Sequence, residues 1–185
     1  SYDEEYVYQN INEKINGKYC KGLLTAIYDV INKFPVKIGV SKKMNEREHA
    51  MELIENTIEA GSIIIFDRGY YSEELLLFLH QKNITPIFRL CTSNLNSKQL
   101  LKEDIKESIS TKTINNTNIE FKTITYQIDG NDYFIGTTDT SLKLETLEGM
   151  YWLRWTIEEF YKTEKHTMKG SFYNMNKLNT LKQSI

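Results

Sequence analysis

The sequence has few cysteines and no long apolar run. Of its 185 residues two are cysteines, Cys20 and Cys91, and their spacing suits neither a metal site nor a framework of disulfides. We therefore expect reduced thiols in a cytoplasmic protein. The longest apolar runs, Ile63–Phe66 and Leu75–Leu79, are far shorter than the roughly 20 residues that cross a bilayer, so we expect no membrane helix.

The chain also lacks a surplus of one charge. Its net charge is -2, with 26% charged residues. DNA-binding proteins are usually basic, but a local patch is sufficient, and a metal-dependent nuclease needs carboxylates around its ions. The charge balance therefore excludes neither a DNA-binding protein nor a metal-dependent nuclease. The first residues are acidic and polar, unlike a secretion signal, and the absence of an initial methionine leads us to expect a fragment of a longer protein.

Apolar residues recur alternately at strand and at helix spacing. Tyr19–Val30 and Val36–Val40 predict an antiparallel hairpin with a turn at Asn32–Pro35. The elements predicted next are a helix over Asn45–Ala60, a strand buried on both faces over Ile63–Phe66, a helix over Glu73–Gln81 capped by Ser72 and a strand over Thr85–Leu90. A short helix and a loop over Asn94–Asn118, strands over Ile119–Ile128 and Tyr133–Thr137 around Asp129-Gly130, and a long helix over Leu144–Met168 complete the prediction. This order predicts an α/β domain with a mixed sheet flanked by helices.

Asp67 stands at the C-terminal end of a predicted strand, and Arg68 and Gly69 follow it. Side chains at such strand ends point into the crevice where α/β domains bind ligands. The carboxylate can therefore hold a metal ion while the backbone turns away. The same position also suits an Asp that opens a turn with the help of Gly69. Position alone leaves both interpretations open.

The last predicted helix carries a polar stripe. At about 100° of rotation per residue, Arg154, Glu158 and Lys165 fall within roughly 60° of Tyr151, whereas Glu159 falls about 80° away on the other side. Apolar residues occupy another part of the helix, where they can contact the sheet. A polar stripe can also be a solvated surface with i, i+4 pairs such as Arg154 with Glu158. The helical spacing alone therefore does not distinguish a functional face from a solvated surface.

Three segments carry further motifs in a fixed order. Residues 26–50, AIYDVINKFPVKIGVSKKMNEREHA, predict a hairpin and a helix. Residues 66–79, FDRGYYSEELLLFL, are the end of an apolar strand followed by Asp-Arg-Gly-Tyr. Residues 151–165, YWLRWTIEEFYKTEK, have the spacing Y-x-x-R-x-x-x-E-x-x-x-x-x-x-K. Together they resemble the motifs of the DDE transposases of the insertion-sequence-four group, and the resemblance extends from about Tyr19 to about Lys182.

The resemblance implies an RNase H-like fold with a β insertion, which fits residues 115–140. It implies that Asp67 is the second catalytic acid, that Glu158 is the third, and that both are ligands of Mg²⁺ or Mn²⁺. The residues that the resemblance implies to bind DNA near the cut are Tyr151, Arg154, Lys165 and, beside the second acid, Arg68.

The family's first catalytic Asp has no visible counterpart. In the family it lies on a strand ahead of the hairpin, in an Asp-Gly or Asp-Ser/Thr context. Asp3 is followed by two glutamates and has no apolar strand around it. Asp29 stands near Asn32 and Pro35, where a turn role is favoured. We therefore expect one catalytic domain, residues 1–185, that begins after the first Asp.

The function implied by the resemblance is cut-and-paste DNA transposition, with metal-dependent phosphodiester hydrolysis and strand transfer. The implied partners are transposon ends and target DNA, with a possible homodimer on DNA at the bacterial nucleoid. Two divalent ions held by three carboxylates can activate the nucleophile and stabilise the leaving oxygen. With two acids, we expect impaired activity. The alternatives are a non-catalytic DNA-binding relic and an unrelated RNase H-like nuclease in which the motif spacing is a coincidence.

Two other features carry less weight. His49 is predicted to be a surface or core residue rather than a metal ligand, because no second His or Cys stands at ligand spacing. The basic tail, from Lys162 to Lys182, suits phosphate contacts and a solubilising surface equally well.

Overall fold

The computed structural model of the chain describes residues 23–41, 45–154 and 157–158. By its internal contacts the chain divides into two units, residues 1–53 together with 155–185, and residues 54–154. The first unit contains a two-stranded sheet, and the second contains a five-stranded mixed sheet flanked by helices. The predicted α/β class, consistent with an RNase H-like fold, is confirmed. The single domain over residues 1–185 stays a prediction.

The first unit contains the predicted antiparallel hairpin, but its turn lies at residues 30–33 rather than at Asn32–Pro35, and the predicted strand residues 19–22 lie outside the described residues. Strands β1 (Leu23–Asp29) and β2 (Phe34–Ser41) pair antiparallel. The Asp29 carboxylate accepts hydrogen bonds from the backbone N–H groups of Ile31 (2.9 Å) and Asn32 (2.8 Å). The backbone hydrogen bond from Asn32 has the largest effect on the pKa of Asp29, and together with the side-chain hydrogen bond from Asn32 it lowers this pKa below its usual value. Asp29 is thus a turn residue, as the sequence predicted.

Helix α1 (Glu46–Glu55) begins where the sequence predicts, because the Asn45 side chain accepts a hydrogen bond from the Glu48 N–H at 3.3 Å. It ends at Glu55 rather than at Ala60. The difference follows from Asn56 and Thr57, which are poor helix formers and enter a turn.

His49 on α1 is a buried residue of the first unit. Its Nδ1 lies 2.9 Å from the Thr25 hydroxyl. A Cβ added at Gly39 would lie 2.8 Å from His49 Nε2, so that β2 approaches the helix closely at a glycine. Of the two predicted positions, surface or core, the structure shows the core.

The second unit is built on strands β3 (Ile63–Phe66), β4 (Thr85–Leu90), β5 (Glu107–Ile114), β6 (Thr117–Ile128) and β7 (Asn131–Thr137). Their order in the sheet is β3-β4-β7-β6-β5. Strands β3 and β4 are parallel and are connected through helix α2 (Glu73–Gln81). The other neighbours are antiparallel, and β7 pairs directly with β4. The predicted insertion is therefore part of the same sheet.

Local side-chain chemistry explains the elements that match their predicted bounds. The Ser72 hydroxyl accepts a hydrogen bond from the Leu75 N–H at 3.2 Å and caps α2. Asp129 and Gly130 have φ angles of 51° and 76°, as a two-residue hairpin turn requires. The strand-to-strand connection at this pair is as predicted.

Two predictions about strands are wrong. The segment after helix α3 (Leu95–Glu103) is strand β5 rather than a loop, because its Ser- and Thr-rich residues pair with β6 at the sheet edge. Strand β3 is not buried on both faces. It lies at the edge of the five-stranded sheet, and Ile63 is 46% exposed.

Helices cover both faces of this sheet. Helix α4 (Leu144–Trp152) packs Leu147 and Tyr151 against a cluster of buried isoleucines, namely Ile87, Ile124 and Ile135. On the opposite face, Asn96 of α3 donates hydrogen bonds to the hydroxyls of Ser110 and Thr123. In the part of the chain that the structure describes, no helix is long and apolar enough to span a membrane.

The predicted helix over Leu144–Met168 is not continuous. Helix α4 ends at Trp152, and the N–H groups of Leu153 and Arg154 bond to carbonyls three residues earlier, at 3.1 Å each. Such bonds tighten the last turn and end the α-helix. Residues 157–158 are helical. The segment from Glu159 to Met168 lies outside the described residues.

Two glycines give a matched test of the packing. A Cβ at Gly136 would lie 2.3 Å from Cζ of the fully buried Phe121, whereas a Cβ at Gly149, on the exposed side of α4, meets nothing within 4 Å. We expect Gly136→Ala to lower the free energy of unfolding by about 1–3 kcal/mol through overpacking. We expect Gly149→Ala to raise it by about 0.5–1 kcal/mol. Urea unfolding measures both, and equal effects would contradict the described packing.

Candidate functional site

Asp67 directly follows β3 and opens a turn. Its Oδ1 accepts a hydrogen bond from the Arg68 N–H at 2.7 Å, and Gly69 adopts a φ of 106°, which favours glycine. The side chain is nevertheless 51% exposed. The two interpretations of Asp67 are therefore compatible, because the same residue forms the turn and presents its carboxylate to solvent.

Tyr151, in the last turn of α4, and Arg154, just after the helix, contact this carboxylate. The Tyr151 hydroxyl donates to Asp67 Oδ1 at 3.3 Å, across 84 positions of sequence. Arg154 Nη1 lies 3.5 Å from Asp67 Oδ2. The Arg154 guanidinium also lies over the Tyr151 ring, with Cζ 5.3 Å from the ring centroid. The structure thus brings together three residues that the sequence analysis selected.

The hydrophobic core fixes the Tyr151 hydroxyl in this position. The Tyr151 residue is 5% exposed and belongs to the cluster of Ile87, Ile124, Ile135 and Leu147. Its ring is held by packing, while the hydroxyl reaches the end of β3. Tyr151 therefore has two roles, as a core residue and as a hydrogen-bond donor at the carboxylate.

Burial and nearby charges act on Tyr151 in opposite directions. Burial, the largest effect, raises the pKa of Tyr151 above its ordinary value. The Arg154 cation lowers this pKa, the Asp67 anion raises it, and Arg89 lowers it through its charge and a side-chain hydrogen bond. Since the net shift is upward, Tyr151 is neutral near pH 7 and keeps its proton for donation.

Arg89 is a member of this site that the sequence analysis missed. It lies on β4 and places its Cζ 4.9 Å from the centroid of the Tyr133 ring, and its charge lowers the pKa of Tyr151. A signal was available in the strand TPIFRL, where alternation puts Arg89 on the same face as Ile87. A cation on a core-facing position of a strand indicates a specific partner.

Of the other predicted site residues, the structure describes Arg68 and Glu158. Arg68 is exposed in the same turn as Asp67. Glu158 is half-buried in the helical residues 157–158, in the other unit of the chain. Lys165 lies outside the described residues. The DNA-binding and catalytic roles assigned to these residues stay predictions.

The chemistry of Asp67 suits a hard cation. Carboxylate oxygens are the ligands that Mg²⁺ and Mn²⁺ prefer, and the half-exposed side chain leaves this carboxylate accessible. Among residues 23–41, 45–154 and 157–158, no group of three or more His, Cys, Asp or Glu could hold a metal ion. The described residues therefore do not supply a complete ligand set at Asp67, and a metal site there would need further ligands.

Comparison with known proteins relates the chain to a protein family. A family model described as the transposase DDE domain matches residues 4–183. No curated protein and no solved structure matches the chain significantly. The matched range includes Asp67, Tyr151 and Arg154, and also the predicted residues Glu158 and Lys165.

The two roles of Tyr151 can be separated by two substitutions. Tyr151→Phe removes the hydroxyl but keeps the ring, and we expect it to lower the free energy of unfolding by about 0.5–1.5 kcal/mol. Tyr151→Ala also removes the buried ring, which typically costs about 3–5 kcal/mol. Urea unfolding measures both values. An equal loss in the two variants would show that the ring does not carry the packing described here.

Proposed function

The chain belongs to the transposase DDE domain family, and we propose that it is the catalytic domain of a DNA transposase that acts by cut-and-paste transposition. Its reactions would be hydrolysis of phosphodiester bonds and strand transfer, as in an endonuclease coupled to DNA recombination. The observation that carries the proposal is the contact of Tyr151 and Arg154 with one carboxylate, Asp67, at the end of a strand.

Asp67 and Glu158 are the residues that we propose as ligands of a divalent ion, Mg²⁺ or Mn²⁺. Asp67 offers a half-exposed carboxylate, and Glu158 occupies the third-acid position of the motif. The chemistry that such ions supply when bound is activation of water or a 3′-hydroxyl and stabilisation of the leaving oxygen. The fixed hydrogen bond from Tyr151 would orient the Asp67 carboxylate toward its ligand.

Arg154 and Arg89 are suited to bind the DNA phosphate that would lie beside Asp67. Arg154 is 9% exposed, so its charge is screened by water less than that of a surface arginine. Planar guanidinium groups match phosphate oxygens in geometry. The neutral Tyr151 hydroxyl supplies a further donor. Arg68 and Lys165 complete the set that we propose to contact DNA.

An alternative function is DNA binding without cleavage, as a relic of a transposase. It rests on the described residues, among which no group of three or more His, Cys, Asp or Glu could hold a metal ion. For either function we propose transposon ends and target DNA as partners, and a homodimer when bound. The bacterial nucleoid in the cytoplasm is the location that we propose.

Cleavage in Mn²⁺ tests the catalytic proposal. We expect weak cutting or joining of transposon-end DNA by this chain, and a fall of about 100-fold or more in Asp67→Asn and Glu158→Gln, the scale for losing a charge-stabilising group. Glu159→Gln is the matched control and should keep the activity. Equal rates for Glu158→Gln and the unaltered chain would remove Glu158 from the mechanism. Binding without any cutting would favour the relic.

The salt dependence of DNA binding tests the two arginines. Each phosphate contact that is lost should reduce the slope of log K against log salt concentration by about 1. We expect this change in Arg89→Gln and in Arg154→Gln. Lys102→Gln, on the exposed side of α3 over the opposite sheet face, should leave the slope unchanged. A slope that is the same in all three variants would exclude the arginines as phosphate contacts.

A further inference from the structure

Two tyrosines lie next to Arg89 on the β6–β7 hairpin. The Tyr133 ring faces the Arg89 guanidinium, with 4.9 Å between Cζ and the ring centroid. The Tyr126 ring stacks on Tyr133, with centroids 5.6 Å apart and planes inclined by 25°. Arg89 therefore contacts a stacked aromatic pair, and it lies on the same sheet face as Ile135, its partner in β7, which packs in one cluster with Tyr151.

The strand register explains this arrangement. Arg89 of β4 pairs with Ile135 of β7, and Tyr133 is two residues further along β7, on the same face of the sheet. Diagonal neighbours of this kind are about 7–8 Å apart at the backbone, within reach of long and aromatic side chains. Tyr126 and Tyr133 are directly opposite each other in β6 and β7. The contacts thus follow from the pairing of three strands.

We propose that Tyr133 is a positioning residue whose ring holds the Arg89 guanidinium against the Tyr151 hydroxyl, and so directs the Arg89 charge to the DNA phosphate beside Asp67. Tyr126 supports the ring from behind. This inference rests on the proposed function. It gives the β insertion a defined part in the site, because an arginine side chain loses many rotamers when it is fixed and a cation–π contact offsets that loss.

A purely structural role for Tyr133 makes different predictions. If its ring only filled space, its replacement would alter stability but not the motion of Arg89, and its effect on DNA binding would not depend on Arg89. Tyr133→Phe keeps the ring and the cation–π contact, whereas Tyr133→Leu removes both. The two variants form a matched pair.

The first experiment uses the full chain without DNA. Hydrogen exchange and relaxation of the Arg89 Nε–H group, followed by NMR on ¹⁵N-arginine protein, report how firmly the side chain is held. We expect faster exchange and greater mobility in Tyr133→Leu and no change in Tyr133→Phe. Unchanged Arg89 motion in Tyr133→Leu would overturn the inference. If thermal unfolding shows that Tyr133→Leu does not fold, Tyr126→Leu, which removes the supporting ring, must loosen Arg89, and no change there overturns it.

The second experiment is a double-mutant cycle on binding of a transposon-end DNA duplex. We expect Tyr133→Leu to weaken binding by roughly 3- to 30-fold, the range of a cation–π contact, and Tyr133→Phe to leave it unchanged. In an Arg89→Gln background Tyr133→Leu should have no further effect. The same loss in both backgrounds would overturn the inference. If the unaltered chain does not bind DNA, the proposed function fails, while the NMR experiment still decides whether Tyr133 holds Arg89.

Discussion

The hydrogen bond between Tyr151 and Asp67 joins the hydrophobic core of the sheet to the candidate site. The Tyr151 ring is packed among the isoleucines of β4, β6 and β7, and its hydroxyl donates to the carboxylate that follows β3. Because a close-packed ring cannot shift without losing contacts, the core determines where the donor stands. Arg154 is placed by the tightened turn that follows. The geometry around Asp67 is therefore a consequence of how α4 packs on the sheet.

The local charge around this bond differs from the charge of the whole chain. The net charge of -2 does not suggest a DNA-binding surface. Beside Asp67, however, stands the Arg154 guanidinium at 3.5 Å. A cation that is largely removed from water is stable only beside an anion or another polar partner. The Arg154 guanidinium beside the exposed Asp67 carboxylate is a local arrangement that no average over the sequence shows.

Local patterns were sufficient for much of the fold, whereas tertiary pairing decided the rest. Strands β3 and β4, helix α2 and the turn at Asp129-Gly130 have the predicted bounds because capping, apolar runs and turn residues act over a few positions. Strand β5 was missed because its Ser- and Thr-rich sequence offers no continuous apolar face, and pairing with β6 makes it a strand. Arg89 was missed because its partners, Tyr133 and Tyr151, are distant in sequence. The helical wheel still placed Arg154 correctly beside Tyr151, because the angle per residue changes little over one tightened turn.

The site depends on strands β5, β6 and β7 being continuous with β3 and β4 in one sheet. Asp67 follows β3, Arg89 lies on β4, Tyr133 on β7 and Tyr151 on α4. Hydrogen bonding between β4 and β7 sets the distance from Arg89 to Tyr133, and the packing of α4 across both strands sets the position of Tyr151. Groups carried on paired strands and packed helices keep their geometry better than groups on loops. A change that slipped the β4–β7 register by one residue would turn Tyr133 to the opposite face and would separate it from Arg89, while Asp67 and its turn stayed intact. The position of Arg89 against Tyr133 is therefore the part of the site most sensitive to the register of β4 and β7.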